Sequence, residues 1–276
     1  MARTIDRLDV MIAYSCNLSC AGCISVSDRP REGIAPAADV EQWLAHWSPL
    51  ITPAVTTLFG GEPCLHPRLV DICAMIRQAW PDTVIRLITN GYLLDNFDSE
   101  SWFGFGAFEM QVSIHRQDHA ARINSAMARI LKHRQDWRVA REPQSAHEQL
   151  SWTSGDFRIY KSVFKDFVVP YKSVGETIEP WHSDPAQAHA ICGAPNTPVL
   201  YKGQLYKCPA VANVMDLTGE NWFGYEPCAD AVKLDQFVAG IGRPEPVCAQ
   251  CPNWNQAVVI DHFDRNNVIV KQKITD

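Results

Sequence analysis

Three cysteines, Cys16, Cys20 and Cys23, lie close together near the start of the chain at C-x3-C-x2-C spacing. Three thiolates at this spacing can hold a 4Fe–4S cube by three of its irons and leave the fourth open. An open iron is a place where a small molecule can chelate, so such a cluster acts as a reagent rather than a plain electron carrier. The plainer readings fit less well. A zinc knuckle wants a fourth ligand at short spacing, and a three-cysteine disulfide framework leaves one thiol over. Some forty residues further on comes a second chemical feature, Leu58-Phe-Gly60-Gly61-Glu62-Pro63, whose glycines leave backbone open to close approach.

The elements that must position these groups read as alternating strands and helices. Apolar strand-like runs cover Leu8–Tyr14, Ala54–Phe59, Thr83–Thr89 and Phe108–His115. Helical patterns lie at about Ala37–Trp47, Pro67–Trp80 and Asp118–Arg134, and Phe157–Lys161 reads as a fifth strand. This alternation predicts parallel βα units around a buried sheet. The cysteine loop follows the first strand and the glycine turn follows the second, so both land on the carboxyl rim where α/β folds place their sites. In Gln111-Val-Ser113-Ile-His115 the polar residues share one face by period-two alternation. Ile123, Met127, Ile130 and Leu131 follow helical spacing, with Arg122, Arg129 and Lys132 on other faces, as in an ordinary solvated amphipathic helix. Cys64 and Cys73 read as small buried apolar residues.

The cysteine loop, the strand before it and Gly60-Gly61-Glu62-Pro63 together resemble the radical S-adenosylmethionine (radical SAM) superfamily. The resemblance implies an α/β fold, a partial (β/α)6 TIM-like barrel, with its chemistry at the carboxyl ends of the strands. It also implies that SAM chelates the open iron through its amino and carboxylate groups, with Gly60, Gly61, Glu62 and Pro63 as the SAM-binding turn. Leu87-Ile-Thr89-Asn90-Gly91 resembles the family's Thr-Asn-Gly element at the ribose, which makes Asn90 a SAM contact, and Ser113 is a further one. One electron from the cluster would cleave SAM to methionine and a 5′-deoxyadenosyl radical that abstracts a substrate hydrogen atom, the protein supplying position and dryness. Gly22 departs from the aromatic residue that many members carry before the third cysteine, which leaves the adenine contact unassigned.

Toward the other end, Cys192 is followed by ten residues and Gly203, then by four residues and Cys208, with a distant Cys248-Ala-Gln-Cys251. This pattern resembles the SPASM/twitch appendage of radical SAM enzymes, a small β-hairpin plus helix that holds an auxiliary 4Fe–4S cluster. Pro198–Cys208 reads as a hairpin with a Lys-Gly turn, which brings Cys192 and Cys208 together. The ligand set implied is Cys192, Cys208, Cys248 and Cys251, with Cys228 as a substitute or a spare thiol. No cysteine follows Cys251, so the shortened twitch form with one auxiliary cluster matches better than a full SPASM domain. A structural zinc site on the same four thiolates is the competing reading. The expected division is a barrel over 1–180 and a twitch-like unit over 181–276.

Composition narrows the partners. The chain has 276 residues, 46% apolar and 20% charged, with net charge −6, which fits an ordinary globular protein and disfavours one that grips long polyanions. No apolar run approaches the twenty or so residues of a membrane span, and no signal-peptide core precedes the first strand, so a cytoplasmic location is expected. Ten cysteines in a reducing compartment point to metal ligation. The expected cofactors are two 4Fe–4S clusters and SAM, the second cluster accepting an electron, with an external one-electron donor of the flavodoxin or ferredoxin type. The layout is similar to that of 2-deoxy-scyllo-inosamine dehydrogenases, which implies oxidation or rearrangement of a small polar, sugar- or nucleotide-like substrate. His115, Arg158 and Tyr160 are the candidates for holding the reacting hydroxyl, although His115 fits equally well as a strand-end cap. Radical modification of a ribosomally made peptide or of a nucleic acid base remains the alternative. The first strand begins within about ten residues, so no leader-binding segment of the kind common in peptide modifiers is expected before it, although a separate partner could supply one.

Overall fold

The computed structural model describes residues 2–140, 148–164, 166–174, 177–261, 263–264 and 266–270. Its strands in chain order are β1 (Arg3–Ala13), β2 (Leu18–Cys20), β3 (Ile51–Gly60), β4 (Val84–Thr89), β5 (Phe108–Ile114), β6 (Arg138–Ala140), β7 (Glu148–Ser154) and β8 (Phe157–Val163). They continue with β9 (Asp166–Val168), β10 (Lys172–Val174), β11 (Thr177–Glu179), β12 (Val199–Tyr201), β13 (Gln204–Tyr206), β14 (Val259–Asp261) and β15 (Val268–Val270). The helices are α1 (Ala37–Trp47), α2 (Leu69–Ala79), α3 (Ala120–Lys132), α4 (Pro185–Ala190), α5 (Pro209–Thr218) and α6 (Leu234–Gly240).

The βα alternation folds as its pattern predicts. Nine strands form one sheet in the order β13-β12-β1-β3-β4-β5-β8-β7-β6, and the six from β12 to β8 run parallel. Helix α1 matches its predicted span to the residue. Strand β1 begins five residues earlier than predicted, because its first half alternates the polar Arg3, Asp6 and Arg7 around the buried Ile5 and shows little apolar signal. It nevertheless pairs in parallel register with β3 from Arg3↔Ile51 onward. The link from β4 to β5 contains two short 3-10 turns in place of a helix.

One face of the sheet is apolar and carries the helices. Leu8, Val10, Leu58, Leu87, Met110 and Ile159 join the stripes of α1, α2 and α3 in one core. On α3 that stripe is Ile123, Ala126, Met127 and Ile130, while Arg129 pairs with Asp95 and Arg122 lies 4.2 Å over the Tyr92 ring. The arginines of this helix are thus engaged without a ligand, as in the amphipathic reading. The opposite face is polar and self-paired: Arg86 meets Glu109 at 2.7 Å and Arg158 meets Glu148 at 2.6 Å.

The hairpin β12–β13 is continuous with this sheet. Its first strand pairs parallel with β1 through Asp9↔Val199 and Val10↔Leu200, and Leu200 and Leu205 enter the main core. The Lys202-Gly203 turn has positive φ at both residues, 48° and 83°. The Trp47 indole N–H donates to the Gly203 carbonyl at 2.9 Å and fastens the turn to α1. Small antiparallel pairs that periodicity does not reveal add to this frame: β6 with β7, β9 with β14, and β15 with β2 inside the cysteine loop. Each has a member of only three residues, too short to show a period. Among the described residues no helix is long and apolar enough to cross a membrane.

Trp47 is fully buried and bridges α1 to the hairpin. Trp47→Ala should cost about 3–5 kcal/mol through lost packing and a cavity. Urea unfolding is expected to show a lower midpoint with an unchanged slope.

Candidate functional site

The carboxyl ends of β1 and β3 meet in a backbone seam. The Gly61 N–H donates to the Ala13 carbonyl at 2.8 Å and the Glu62 N–H to the Ser15 carbonyl at 2.9 Å. A Cβ on Gly60 would stand 2.1 Å from the Ala13 oxygen, and one on Gly61 2.1 Å from the Ser15 oxygen. These glycines are therefore required by the chain's own backbone before any ligand is considered. Gly60 also has φ 146°, and its carbonyl accepts from the Ser25 hydroxyl at 2.7 Å. The seam clamps the glycine turn directly onto the loop that carries Cys16, Cys20 and Cys23.

Glu62 ties in a third strand. Its carboxylate is 1% exposed and accepts from the Thr89 hydroxyl at 2.6 Å, the Asn90 N–H at 2.7 Å and the Cys64 N–H at 2.9 Å. Burial pushes this carboxyl up, and the three donors pull it back down. Asn90 in turn donates through Nδ2 to Asn17 Oδ1 at 2.7 Å and lies 3.8 Å from Cys16 Sγ. Five of the residues predicted to bind SAM (Gly60, Gly61, Glu62, Pro63 and Asn90) are thus joined to the cysteine loop by direct bonds or chain continuity. Asn17, which sequence reasoning did not single out, keeps a buried Nδ2 without a partner beside Cys16. A donor left open there suits an anionic cluster or its chelated ligand.

The loop itself is held from both sides. Leu18–Cys20 pairs with Val268–Val270, and Val268 packs fully buried against Cys16, Leu18 and Cys20. Gly22 has φ 72°, and a Cβ there would lie 3.2 Å from a Val169 methyl, so neither conformation nor space favours an aromatic residue at this position.

The catalytic candidates do not converge. Tyr160 stands opposite Gln111 in the β5–β8 register and donates to its Oε1 at 2.9 Å. Arg158 stands opposite Glu109, pairs with Glu148 and stacks 4.3 Å over the Tyr160 ring, so its charge is engaged within the sheet. Burial pushes the Tyr160 hydroxyl up. His115 lies past the end of β5, 5.8 Å from the Phe167 ring, four residues beyond Gln111 and so about 13 Å further along the strand. Ser113 is buried on the same face as Gln111, nearer the rim.

The four C-terminal cysteines do converge. Cys192, Cys208, Cys248 and Cys251 line one cavity. They reach it from the end of α4, the start of α5 and the 3-10 turn Pro246–Gln250. Burial raises all four thiols, Cys208 to about 12; neighbouring thiols add to the rise at Cys192, Cys208 and Cys251, and the Glu245 carboxylate adds to it at Cys248. Deprotonating them together requires a cation at the centre. Cys228 lines a separate cavity, with its thiol donating to the Asp230 carbonyl and its backbone paired with Leu205. Cys64 and Cys73 are buried in the main core, where burial raises both thiols. Among the described residues no three His, Cys, Asp or Glu side chains converge on one point as a single ion requires. Thiols spread around a cavity suit a cluster, whose ligands bind different irons. By donor type, the four thiols on one cavity and the three in one loop are those that 4Fe–4S groups would use.

Glu62→Gln should destabilise the protein by about 1–3 kcal/mol, because an amide facing three donors leaves a donor against a donor. A lowered urea midpoint would register this, and an unchanged midpoint would show that the seam does not depend on the carboxylate.

No protein-family model matches the chain. The GTP 3′,8-cyclase of Microcystis aeruginosa is 30% identical over 122 residues, covering 41% of this chain. The chain spans 36% of the length of that curated relative. Among solved structures, BtrN in complex with AdoMet and 2-DOIA aligns over 92% of this chain and 95% of its own, with TM-score 0.51 and 17% identity. Streptococcus suis SuiB bound to S-adenosylmethionine aligns over 40% of this chain and 25% of its own, with TM-score 0.33 and 18% identity. The BtrN likeness shows a mixed α/β fold with a large parallel sheet, and the cyclase match shows a likeness over 122 residues.

Proposed function

We propose that the chain is a radical SAM oxidoreductase acting on a small polar, sugar- or nucleotide-like substrate, with one auxiliary cluster. The observation that carries the reading is the pairing of two thiol groups in one fold. Three cysteines sit in a loop clamped to a glycine turn, and four from distant positions line one cavity. When bound, the first cluster and SAM supply a 5′-deoxyadenosyl radical for hydrogen abstraction.

The chain's own residues do the rest. Cys16, Cys20 and Cys23 would hold three irons, and the backbone of Gly60–Pro63, with Asn90 and Ser113, would receive SAM. The substrate hydroxyl lies at the rim, where Ser113 and His115 end the β5 face and His115 takes the proton, while Gln111, about 13 Å deeper on the strand, and its partner Tyr160 line the floor of that face. Cys192, Cys208, Cys248 and Cys251 close every iron of the second cluster, so its asset is its redox couple. A group held there would supply an acceptor for the second electron of an alcohol oxidation, and a flavodoxin- or ferredoxin-type donor would supply the first cluster. A small-molecule substrate fits the fold shared with BtrN, whose crystal holds AdoMet and 2-DOIA, and a nucleotide fits the name of the cyclase relative. The unit over 181–276 works in this scheme as a cluster-bearing extension whose hairpin continues the main sheet.

Changing Cys16, Cys20 and Cys23 together to alanine should abolish 5′-deoxyadenosine formation from SAM and dithionite under anaerobic conditions. The variant should keep roughly four irons per chain, those of the second cluster. Cleavage at the wild-type rate would sink the assignment.

Cys248→Ala with Cys251→Ala should keep some 5′-deoxyadenosine formation and lose oxidised product, in soluble protein whose first cluster is intact. That control is needed because metal ligation also contributes folding energy. Full product yield would rule out electron acceptance by the second cluster.

A further inference from the structure

The four-thiol cavity is lined by more than sulfur. Gln250, between Cys248 and Cys251, is 1% exposed, and both its Nε2 and Oε1 are buried without a hydrogen-bond partner. His189, one turn before Cys192, lines the same cavity and has a buried, unpartnered Nε2. Lys207, beside Cys208 and 8% exposed, lines it too. Its ammonium is held by Glu245 Oε1 at 2.7 Å and by the Arg243 carbonyl at 2.5 Å. Buried polar groups in native proteins are hydrogen-bonded, and each exception asks for a partner such as a water, an ion or a bound group. Two such exceptions and a buried ammonium, gathered around four thiols, describe a setting for an anion.

We infer that Gln250, His189 and Lys207 form a donor collar that raises the reduction potential of the auxiliary cluster. The inference rests on the reading that the four cysteines hold a 4Fe–4S group. A cube with four thiolates is an anion, and taking up one electron adds one negative charge to it. Donors and cations near the sulfurs favour the more negative, reduced form, and hydrogen bonding and net charge are among the terms that set such potentials. Much of the Lys207 charge is offset by Glu245, so the neutral donors Gln250 and His189 carry the adjustable part. All three are positioning residues that tune the couple without touching substrate.

The test uses the full chain carrying Cys16, Cys20 and Cys23→Ala, so that one cluster signal remains, reconstituted anaerobically with iron and sulfide. Midpoints are read by redox titration with electron paramagnetic resonance. Gln250→Leu and His189→Phe should each weaken the reduction equilibrium about tenfold, a shift of about 59 mV to more negative potential for a one-electron couple. Gln250→Glu keeps the size and adds charge, so it should shift the midpoint further than Gln250→Leu. It also tests the collar should the leucine variant fail to load. Variants with full iron and sulfide content and an unchanged midpoint would overturn the collar. A parent protein that binds one zinc and no iron would overturn the cluster reading beneath it, and metal content tells the two failures apart.

Discussion

The rest of the site depends on a contact that leaves no room for a side chain: the Gly60-Gly61 backbone lying against Ala13–Ser15. Parallel strands that end side by side leave their following loops free to diverge, because the sheet ladder stops where the strands stop. Here two backbone hydrogen bonds extend the pairing beyond the ladder. Glu62 then draws in β4 through the Thr89 hydroxyl and the Asn90 N–H. A buried carboxylate is tolerated only when its lone pairs are satisfied, and this one is satisfied from two segments remote from each other in sequence. Local backbone sterics and one desolvated charge thereby fix where the cysteine loop, the glycine turn and the β4 terminus lie.

The two faces of the sheet obey different rules. The helix-bearing face is dry and close-packed, so its strands show up in the sequence as apolar alternation. The other face must hold charge, and charge away from water survives only in pairs. Arg86, Glu109, Arg158 and Glu148 satisfy that condition among themselves. This is why Arg158, an attractive substrate contact when read as an isolated strand residue, behaves in the fold as part of an ion-pair network. Tyr160 and Gln111 sit above it toward the rim and are paired with each other.

The C-terminal third of the chain returns to the N-terminal segment twice. Strand β12 adds to β1 at the sheet edge, and β15 adds to β2 within the cysteine loop. The loop is thus held between the seam on one side and a late strand on the other, and Val268 shields two of its cysteines. Between these returns, α4, α5 and the Pro246–Gln250 turn bring four thiols around one cavity at the expense of leaving them protonated. Metal loading would reverse that penalty, which couples ligation to the order of the whole segment.

Sequence by itself determined the βα alternation, the span of α1, the amphipathic stripe of α3 and the three-cysteine loop, because each depends on local period or short spacing, whereas the four-cysteine grouping came from a resemblance of pattern. It also placed the glycine turn and the cysteine loop on one rim. Only the tertiary structure decided that Gly60 and Gly61 serve the backbone of another strand and that Cys228 belongs to a different cavity. It likewise decided that Arg158 is spent on Glu148, and that Gln250 and His189 stand unpartnered beside the four thiols. Those outcomes turn on which distant groups meet when the chain closes. The partner that satisfies a buried charge or excludes a Cβ lies on another strand or loop, so no local pattern records it.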